Sequence, residues 1–205
     1  MGLYSKYLFP LIVDWVLGRP SIGELRQELL GQIQGRVLEI GFGTGLNLSF
    51  YPPSVQEITV VDPNSGMRRR AMRRMIESGR RVTFHLLKGE DLPFPSESFD
   101  SIVSTFTLCS VGDLSRVLGE IRRVLWPEGR FFFLEHGLAP EGRIQVWQHR
   151  LTPLQKGLAD GCHLDRDMEN MLQKSGFRFQ SLKKFYFSDF PKIAGYFYQG
   201  IAFKS

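Results

Sequence analysis

The sequence is poor in cysteine: among 205 residues there are only Cys109 and Cys162, which are far apart and form no CxxC spacing. This supports neither a disulfide framework nor a zinc site, so both cysteines are expected to be small buried hydrophobic residues and no metal is expected. The sequence also lacks an apolar run of 18 residues, which argues against a membrane-spanning helix. The N-terminus has neither the basic start nor the cleavage site of a signal peptide, so a cytoplasmic protein is expected.

Positive charge is concentrated in one stretch of the chain. The formal net charge is +5, and residues 68–81 contain seven arginines and one glutamate, which together give +6 and leave −1 for the rest. No recognisable nucleic-acid-binding module accompanies these arginines, so nucleic acid is not expected as a partner, whereas a weak peripheral contact with a membrane surface stays open. The same stretch has a predicted inner apolar face that leaves the arginines on a solvated outer face. That inner face comprises Met67, Ala71, Met75 and Ile76.

Strand-like and helix-like segments alternate between residues 35 and 136. The predicted strands are short and rich in β-branched or aromatic residues, as buried parallel strands are. They cover 36–40, 57–62, 81–87, 99–104 and 130–135, and two more are predicted at 177–187 and 193–203. The repeated β-α units predict a doubly wound α/β fold, in which a mostly parallel seven-stranded sheet has helices on both faces.

Helices are predicted between and around these strands. Residues 3–33 are expected to form two helices broken at Gly18–Pro20. Asn64 or Ser65 can cap a helix that ends before Gly79, and Asp113 can cap the next one. Two further helices are predicted at 142–157 and 165–174, and Pro153 is expected to end or kink the first of them.

The turn after the first predicted strand is rich in glycine. It reads GFGTG, with Gly41, Gly43 and Gly45 at alternate positions. Glycine allows positive φ and a close approach of the backbone to a ligand, and in doubly wound sheets ligands bind at this edge. A dinucleotide fingerprint would need a further glycine where Leu46 stands, which argues against NAD.

Two carboxylates flank this turn. Glu39 lies two residues before the first glycine, where it would attract a cationic ligand and repel a pyrophosphate. Asp62 ends the second predicted strand, and a carboxylate at that place can accept hydrogen bonds from both ribose hydroxyls. A nucleoside with a cationic centre and no phosphates, such as S-adenosylmethionine, fits both features.

Four stretches in order resemble the class I S-adenosylmethionine-dependent methyltransferases: VLEIGFGTG, VVDPNSGM, GEDLPFPSESFDSIVSTFTL and EIRRVLWPEGRFFFLEHG. The resemblance covers roughly residues 35–136 and implies a Rossmann-like methyltransferase fold, S-adenosylmethionine as the cofactor and S-adenosylhomocysteine as the product. The turn that is usually Pro-Gly-Gly in this family reads Pro127-Glu128-Gly129 here. The stretches FLEHG, WQHRLTP and GCHLDRD also resemble a bacterial group related to the animal membrane-associated thiol methyltransferases.

The resemblance implies a set of cofactor contacts. Gly41, Gly43 and Gly45 would pass the methionine moiety, Glu39 would support their loop or the amino group, and Asp62 would hold the ribose. The remaining implied contacts are Pro63 and Met67 at the adenine, Glu90, Asp91 and Leu92 near its amino group, and Thr105 and Phe106 on the sulfonium side.

Candidates for the acceptor side lie after the fifth strand. His136 follows that strand directly, and His163 lies in a segment that could fold over the cofactor, so these two are the catalytic candidates. The alternative for each is a structural histidine held by hydrogen bonds. Aromatic residues could wall the acceptor pocket and favour a hydrophobic small molecule: Tyr4, Tyr7, Phe9, Trp15 and Trp147.

These features predict a single domain over residues 1–205. It comprises a helical cap at 1–33, a cofactor-binding core at 34–136, and an acceptor-side insertion with C-terminal strands at 137–205. The predicted reaction is an in-line transfer of a methyl group to a small hydrophobic acceptor, which is a thiol, an amine, a quinone-like molecule or a lipid head group. The alternatives are an NAD-dependent oxidoreductase and a non-catalytic cofactor-binding or membrane-surface protein; the oligomeric state is left unknown.

Overall fold

One seven-stranded sheet forms the centre of the molecule, which a computed structural model describes over residues 2–205. Its strands are β1 (Val37–Ile40), β2 (Glu57–Val61), β3 (Arg81–His85), β4 (Phe99–Thr105), β5 (Leu125–His136), β6 (Phe177–Tyr186) and β7 (Tyr196–Lys204). Their order is β3-β2-β1-β4-β5-β7-β6. Strands β1 to β5 are parallel, and β7 runs antiparallel to both β5 and β6. The strand order reverses between β1 and β4, which is where doubly wound sheets bind ligands.

Six α-helices surround the sheet. They are α1 (Phe9–Leu17), α2 (Pro20–Leu30), α3 (Ser65–Ser78), α4 (Leu114–Val124), α5 (Gly142–Leu158) and α6 (Met168–Lys174). A π-helical turn, Tyr4–Leu8, precedes α1, and a 3-10 turn covers Leu48–Phe50. Apolar side chains of α4 and α6 belong to one buried cluster, and those of α2 and α3 belong to another that includes different faces of the same strands. The predicted doubly wound architecture is therefore confirmed.

Local contacts explain why α3 and α4 begin, and why α3 ends, where the sequence indicates. The side chain of Asn64 accepts from the Gly66 amide, and that of Asp113 accepts from the Arg116 amide. Gly79 ends α3 with φ of 65°, a left-handed conformation that glycine adopts without steric cost.

Several predicted boundaries are corrected. Helix α5 continues through Pro153 to Leu158, so the proline costs one backbone donor without ending the helix. Helix α6 begins at Met168 because Asp167 caps it by accepting from the Asn170 amide. Strand β5 begins five residues earlier than predicted; its pairing with β4 shifts between Phe99 and Ser101, which leaves residues 126–129 as a bulge.

The outer surface of α3 differs from the expectation in one residue. Ile76, expected on the inner face, is 77% exposed, whereas Ala71 and Met67 are buried as predicted. Among residues 2–205, no helix has both the length and the apolar content that crossing a membrane requires.

Candidate functional site

A cavity of about 650 Å³ opens where β1, β2, β4 and β5 end. Nine of the residues predicted for the site line it: Gly41, Gly43, Asp62, Pro63, Met67, Glu90, Thr105, Phe106 and His136. Five do not: Glu39, Gly45, Asp91, Leu92 and His163. A volume of this size suits a small-molecule site.

The glycine loop, residues 41–47, forms the floor of this cavity. Gly41 has φ of 74°, and a Cβ added there would lie 1.9 Å from the Thr107 Oγ1, so only glycine lets the two loops meet. Gly43 has φ of 56°, and the nearest atom to an added Cβ is 3.9 Å away. The space that a side chain at Gly43 would fill is open and belongs to the cavity. Glycine therefore leaves that space free for a ligand.

Asp62 joins this loop to the end of β2. Its Oδ2 accepts from the Gly43 amide at 2.8 Å, and its Oδ1 accepts from the Asn64 amide at 2.7 Å. Burial raises the pKa of Asp62 to about 6, although these backbone bonds act in the opposite direction. Each carboxylate oxygen can accept a second hydrogen bond, and the side chain lines the cavity, so Asp62 fits a ligand that presents two hydroxyls.

Glu39 lies beneath the glycine loop and outside the cavity lining. Its two oxygens accept from Asn47 Nδ2 at 2.9 Å and from the Tyr51 hydroxyl at 2.6 Å. Burial raises the pKa of Glu39 to about 7. Arg26, itself buried, donates to Asn47 Oδ1 at 2.8 Å. Of the two roles expected for Glu39, these contacts show support of the loop.

Of the three contacts predicted in the loop after β3, only one lines the cavity. Glu90 lines the cavity, and its Oε1 accepts from the Gly112 amide at 3.2 Å. Asp91 is exposed, and the side chain of Leu92 is buried in the hydrophobic core, where its amide donates to Glu120. Core packing therefore explains Leu92.

The β4–α4 loop, residues 106–113, forms the opposite wall and is held by Glu135. This fully buried carboxylate accepts at its Oε1 from Ser104 Oγ at 2.8 Å and from the amides of Thr107 and Leu108 at 3.0 Å each. Arg166 donates to the carbonyl oxygens of Leu108 and Val111 from the outside. Sequence reasoning missed Glu135, for which the only local signal was its place beside His136.

Three side chains with potential for chemistry meet in the cavity lining around His136. His136 Nε2 lies 2.7 Å from Cys162 Sγ, and the donor atoms of Cys109, His136 and Cys162 all lie within 4.8 Å of one another. Both cysteines are buried, as predicted, but they also line the cavity, which the sequence did not indicate. The pKa of Cys162 is raised well above its usual range. The larger cause is the neighbouring Cys109 thiol, and burial is the second.

His163 is separated from this group. Its ring is one quarter exposed, and Nδ1 lies 3.6 Å from Asp165 Oδ1. Burial and the Arg166 charge lower the pKa of His163. The backbone of His163 is closer to the site than its ring, because its amide donates to the Cys109 carbonyl at 2.8 Å. Of the two histidines predicted for the site, the structure therefore places only His136 in the cavity lining.

Helix α1 covers the cavity with apolar side chains: Ile12, Val13, Val16 and Leu17. Its Asp14 accepts from Thr44 Oγ1, from Arg70 Nε at 2.8 Å and from Arg74 Nη1 at 3.0 Å. These two arginines are therefore paired and not merely solvated. Of the aromatic residues expected to wall the pocket, only Phe9 lines it, and the other four are exposed: Tyr4, Tyr7, Trp15 and Trp147.

Comparison with known proteins identifies similar methyltransferases. The pattern of the family described as "Methyltransferase domain" matches residues 38–133. Rat thiol S-methyltransferase TMT1B is 34% identical over 186 residues, which is 84% of this chain and 76% of that protein. Human thiol S-methyltransferase TMT1A is 33% identical over 195 residues, 86% of this chain and 79% of the relative. A SAM-dependent methyltransferase from Thermotoga maritima matches in fold with a TM-score of 0.68 at 20% identity, covering 98% of each chain.

Proposed function

Because the chain belongs to the class I S-adenosylmethionine-dependent methyltransferases, we propose that it methylates a small hydrophobic thiol. One observation carries the proposal: a single cavity joins the glycine loop and Asp62 to the apolar wall of α1 and to the His136 side. Cofactor and acceptor can therefore lie in one enclosure. The thiol is favoured over the amine, quinone-like and lipid acceptors because two relatives that align with most of this chain are thiol S-methyltransferases.

The cavity residues fit S-adenosylmethionine, and their proposed roles follow from their places. The backbone at Gly41 and Gly43 would pass the methionine moiety, and Asp62 would accept from the ribose hydroxyls. Pro63 and Met67 would flank the adenine. Glu90 would lie near its amino group, whereas Thr105 and Phe106 would line the sulfonium side.

The bound cofactor supplies an activated methyl group, so the chain itself mainly has to align the acceptor and exclude water. The apolar side chains of α1 would hold the hydrocarbon part of the acceptor and exclude water from its sulfur. His136, with Cys109 and Cys162, would contact the acceptor sulfur, because these three residues lie together in the lining of the same cavity. His163 has no role in this proposal.

A methyl-transfer assay with three matched acceptors tests the proposal. An alkyl thiol, the alcohol and the amine of the same chain length are each incubated with the protein and methyl-labelled S-adenosylmethionine. We expect labelled thioether and no labelled ether or methylamine. Asp62→Asn should abolish most of the activity, whereas Asp91→Asn, an exposed aspartate outside the cavity lining, should retain it. Methylation of the amine or alcohol alone would refute the thiol acceptor.

We also propose that the protein works at the surface of an anionic membrane. Six large apolar side chains in the first 15 residues are exposed: Leu3, Tyr4, Tyr7, Leu8, Leu11 and Trp15. Exposed arginines of α3 lie beside them, and the Arg69 guanidinium lies 5.5 Å from the centre of the Tyr7 ring. Apolar side chains next to basic ones suit the interface of an anionic bilayer, and a hydrophobic acceptor would be abundant there.

Flotation with vesicles tests this surface. The protein should float with vesicles containing phosphatidylserine and remain in solution with purely zwitterionic ones. Trp15→Ser should reduce flotation, whereas Trp147→Ser, at another exposed tryptophan away from this surface, should not. Equal flotation of both variants and of the unaltered protein would contradict the proposal.

A further inference from the structure

We propose that Cys109, His136 and Cys162 bind a divalent cation of the zinc type and leave one coordination position for the acceptor thiol. The three donor atoms lie within 4.8 Å of one another and all three residues line the cavity. The proposal that a cation binds here depends only on this cluster. The assignment of its open position to a thiol rests on the proposed function.

The donor set is one that zinc prefers. Thiolate and imidazole ligands favour Zn²⁺ over Mg²⁺ or Ca²⁺, and two cysteines with one histidine form a known catalytic set that keeps a fourth position open. Bonds of about 2.3 Å to sulfur and about 2.0 Å to nitrogen place tetrahedral ligand atoms about 3.5–3.8 Å apart. His136 Nε2 and Cys162 Sγ, now 2.7 Å apart, would therefore separate by about 0.8 Å, which small side-chain rotations allow.

The segments that carry the three ligands are already fastened to one another. The Cys109 amide lies 3.4 Å from Glu135 Oε2, and Arg166 holds the carbonyls on either side of Cys109. The Cys109 carbonyl accepts from the residue that follows Cys162. Gly161, with φ of 94°, brings its backbone so close to the Ser110 carbonyl that an added Cβ would lie 2.9 Å from it. Such supporting contacts orient metal ligands before the ion arrives.

The open position would face the cavity, because all three ligands line the same space as Gly41 and Asp62. On binding there, the acceptor thiol would release its proton to solvent and present a thiolate. Its sulfur would then form a bond to the methyl carbon as the carbon–sulfonium bond breaks. That bond's electron pair leaves with S-adenosylhomocysteine, and the thioether, a weaker ligand, departs. The sum is thiol plus S-adenosylmethionine giving thioether, S-adenosylhomocysteine and one proton.

Metal binding can be measured without any turnover. The reduced, chelator-treated full chain is titrated with Co²⁺, followed by its thiolate-to-cobalt absorption, and then with Zn²⁺. We expect one ion per chain and displacement of Co²⁺ by Zn²⁺. Cys109→Ser, Cys162→Ser and His136→Ala should each weaken binding by at least about 100-fold, since even losing a supporting contact costs 10- to 100-fold. His149→Gln is the matched control, because His149 is exposed and lies outside the cavity lining.

Calorimetry with S-adenosylhomocysteine checks that each variant is folded. No uptake by the reduced chain, or equal uptake by the cysteine variants, would overturn the site. If the cobalt spectrum does not change when an alkyl thiol is added, the open position does not belong to the acceptor. Full thiol methylation by the chelated protein would overturn the catalytic role of the ion and leave the proposed function intact. Metal and thiol binding with no methyl transfer would refute the proposed function and leave the metal site intact.

Discussion

The two loops that face each other across the cavity are each held by one fully buried glutamate, but in different ways. Beneath the glycine loop, Glu39 accepts from side chains that follow it by 8 and 12 positions, Asn47 and Tyr51. Glu135 accepts mainly from backbone amides of the β4–α4 loop, 27 and 28 positions before it in the chain. The cofactor side is thus held by exchangeable side-chain contacts. The β4–α4 loop depends instead on backbone amides, which cannot turn towards a different acceptor.

This difference predicts how well each of the two loops tolerates substitution of its glutamate or of the donors to it. A side-chain donor can be replaced together with its acceptor, or can rotate to a new one. A buried amide has a fixed position, so removal of its acceptor leaves it unsatisfied at a cost of about 1–3 kcal/mol. The β4–α4 loop should therefore be the less tolerant of the two.

The largest effect is expected at Glu135. Glu135→Ala leaves four donors without their acceptor, one hydroxyl and three backbone amides, so we expect a loss of about 3–5 kcal/mol in the free energy of unfolding. Urea denaturation measures it, with Glu128→Ala as an exposed control on the same strand that should change little. Glu135→Gln, which keeps one acceptor oxygen, should fall between them. Equal stabilities for Glu135→Ala and Glu128→Ala would remove the contrast between the loops.

The next effect is a dependence of stability on pH at Glu39. Its folded pKa, about 7, is raised from 4.5, so protonation favours the folded state and this contribution is lost as pH rises through about 7. A difference of about 2.5 in pKa corresponds to about 3 kcal/mol. Between about pH 5 and pH 8, Glu39→Gln should therefore flatten the decline in unfolding free energy by up to about that amount. Glu57→Gln, an exposed control, should decline as steeply as the unaltered protein; parallel curves for all three would refute the argument.

Asp62 sharpens the comparison because it accepts from the glycine loop and, in the proposed function, also from the ribose. Asp62→Asn should weaken S-adenosylhomocysteine binding by about 2–3 kcal/mol, roughly 30- to 150-fold, through loss of charge-assisted hydrogen bonds. Since the ionised carboxylate is the better acceptor and its pKa is about 6, affinity should also fall as pH drops below about 6 in the unaltered protein. Calorimetry at several pH values measures both. An affinity that is independent of pH in this range would show that the ribose lies elsewhere.

The smallest effect is expected for α1, the helix that covers the cavity. Asp14→Asn weakens the ion pairs that hold α1 to Arg70 and Arg74, so we expect a loss of about 1 kcal/mol that shrinks at high salt. Glu77→Gln breaks the exposed pair between Glu77 and Arg73 on α3 and should change the stability less than Asp14→Asn does. Urea denaturation at low and high salt compares the two. If Glu77→Gln costs as much as Asp14→Asn, the pairing of α1 has no special part in covering the cavity.

Sequence patterns predicted the features that depend on neighbouring residues. The spacing of Gly41, Gly43 and Gly45, the acid at Asp62 and the caps at Asn64 and Asp113 are all local, and each was found where the pattern placed it. The strands were recognised because buried parallel strands form short apolar runs. Boundaries were less well predicted where a later residue decides them, as Asp167 does for α6.

The acceptor side could not be assembled in the same way, because its contacts join distant segments. Cys109 and Cys162 stand 53 positions apart, and only the packing of the β4–α4 loop against the segment after α5 brings them together. His136 and His163 looked equivalent in the sequence, yet the ring of one faces the cavity and that of the other pairs with Asp165. The direction in which a side chain points is set by the tertiary fold.

The position of β7 has a consequence for how this molecule is made. Its residues, 196–204, lie between β5 and β6 in the sheet, although both of those strands precede it in the chain. During synthesis, β5 and β6 leave the ribosome without the strand that joins them, and β5 presents a free edge with its buried aromatic residues. His136 pairs with Phe197 across that edge. The acceptor side is therefore completed late, whereas the glycine loop and Asp62 can assemble from the first half of the chain.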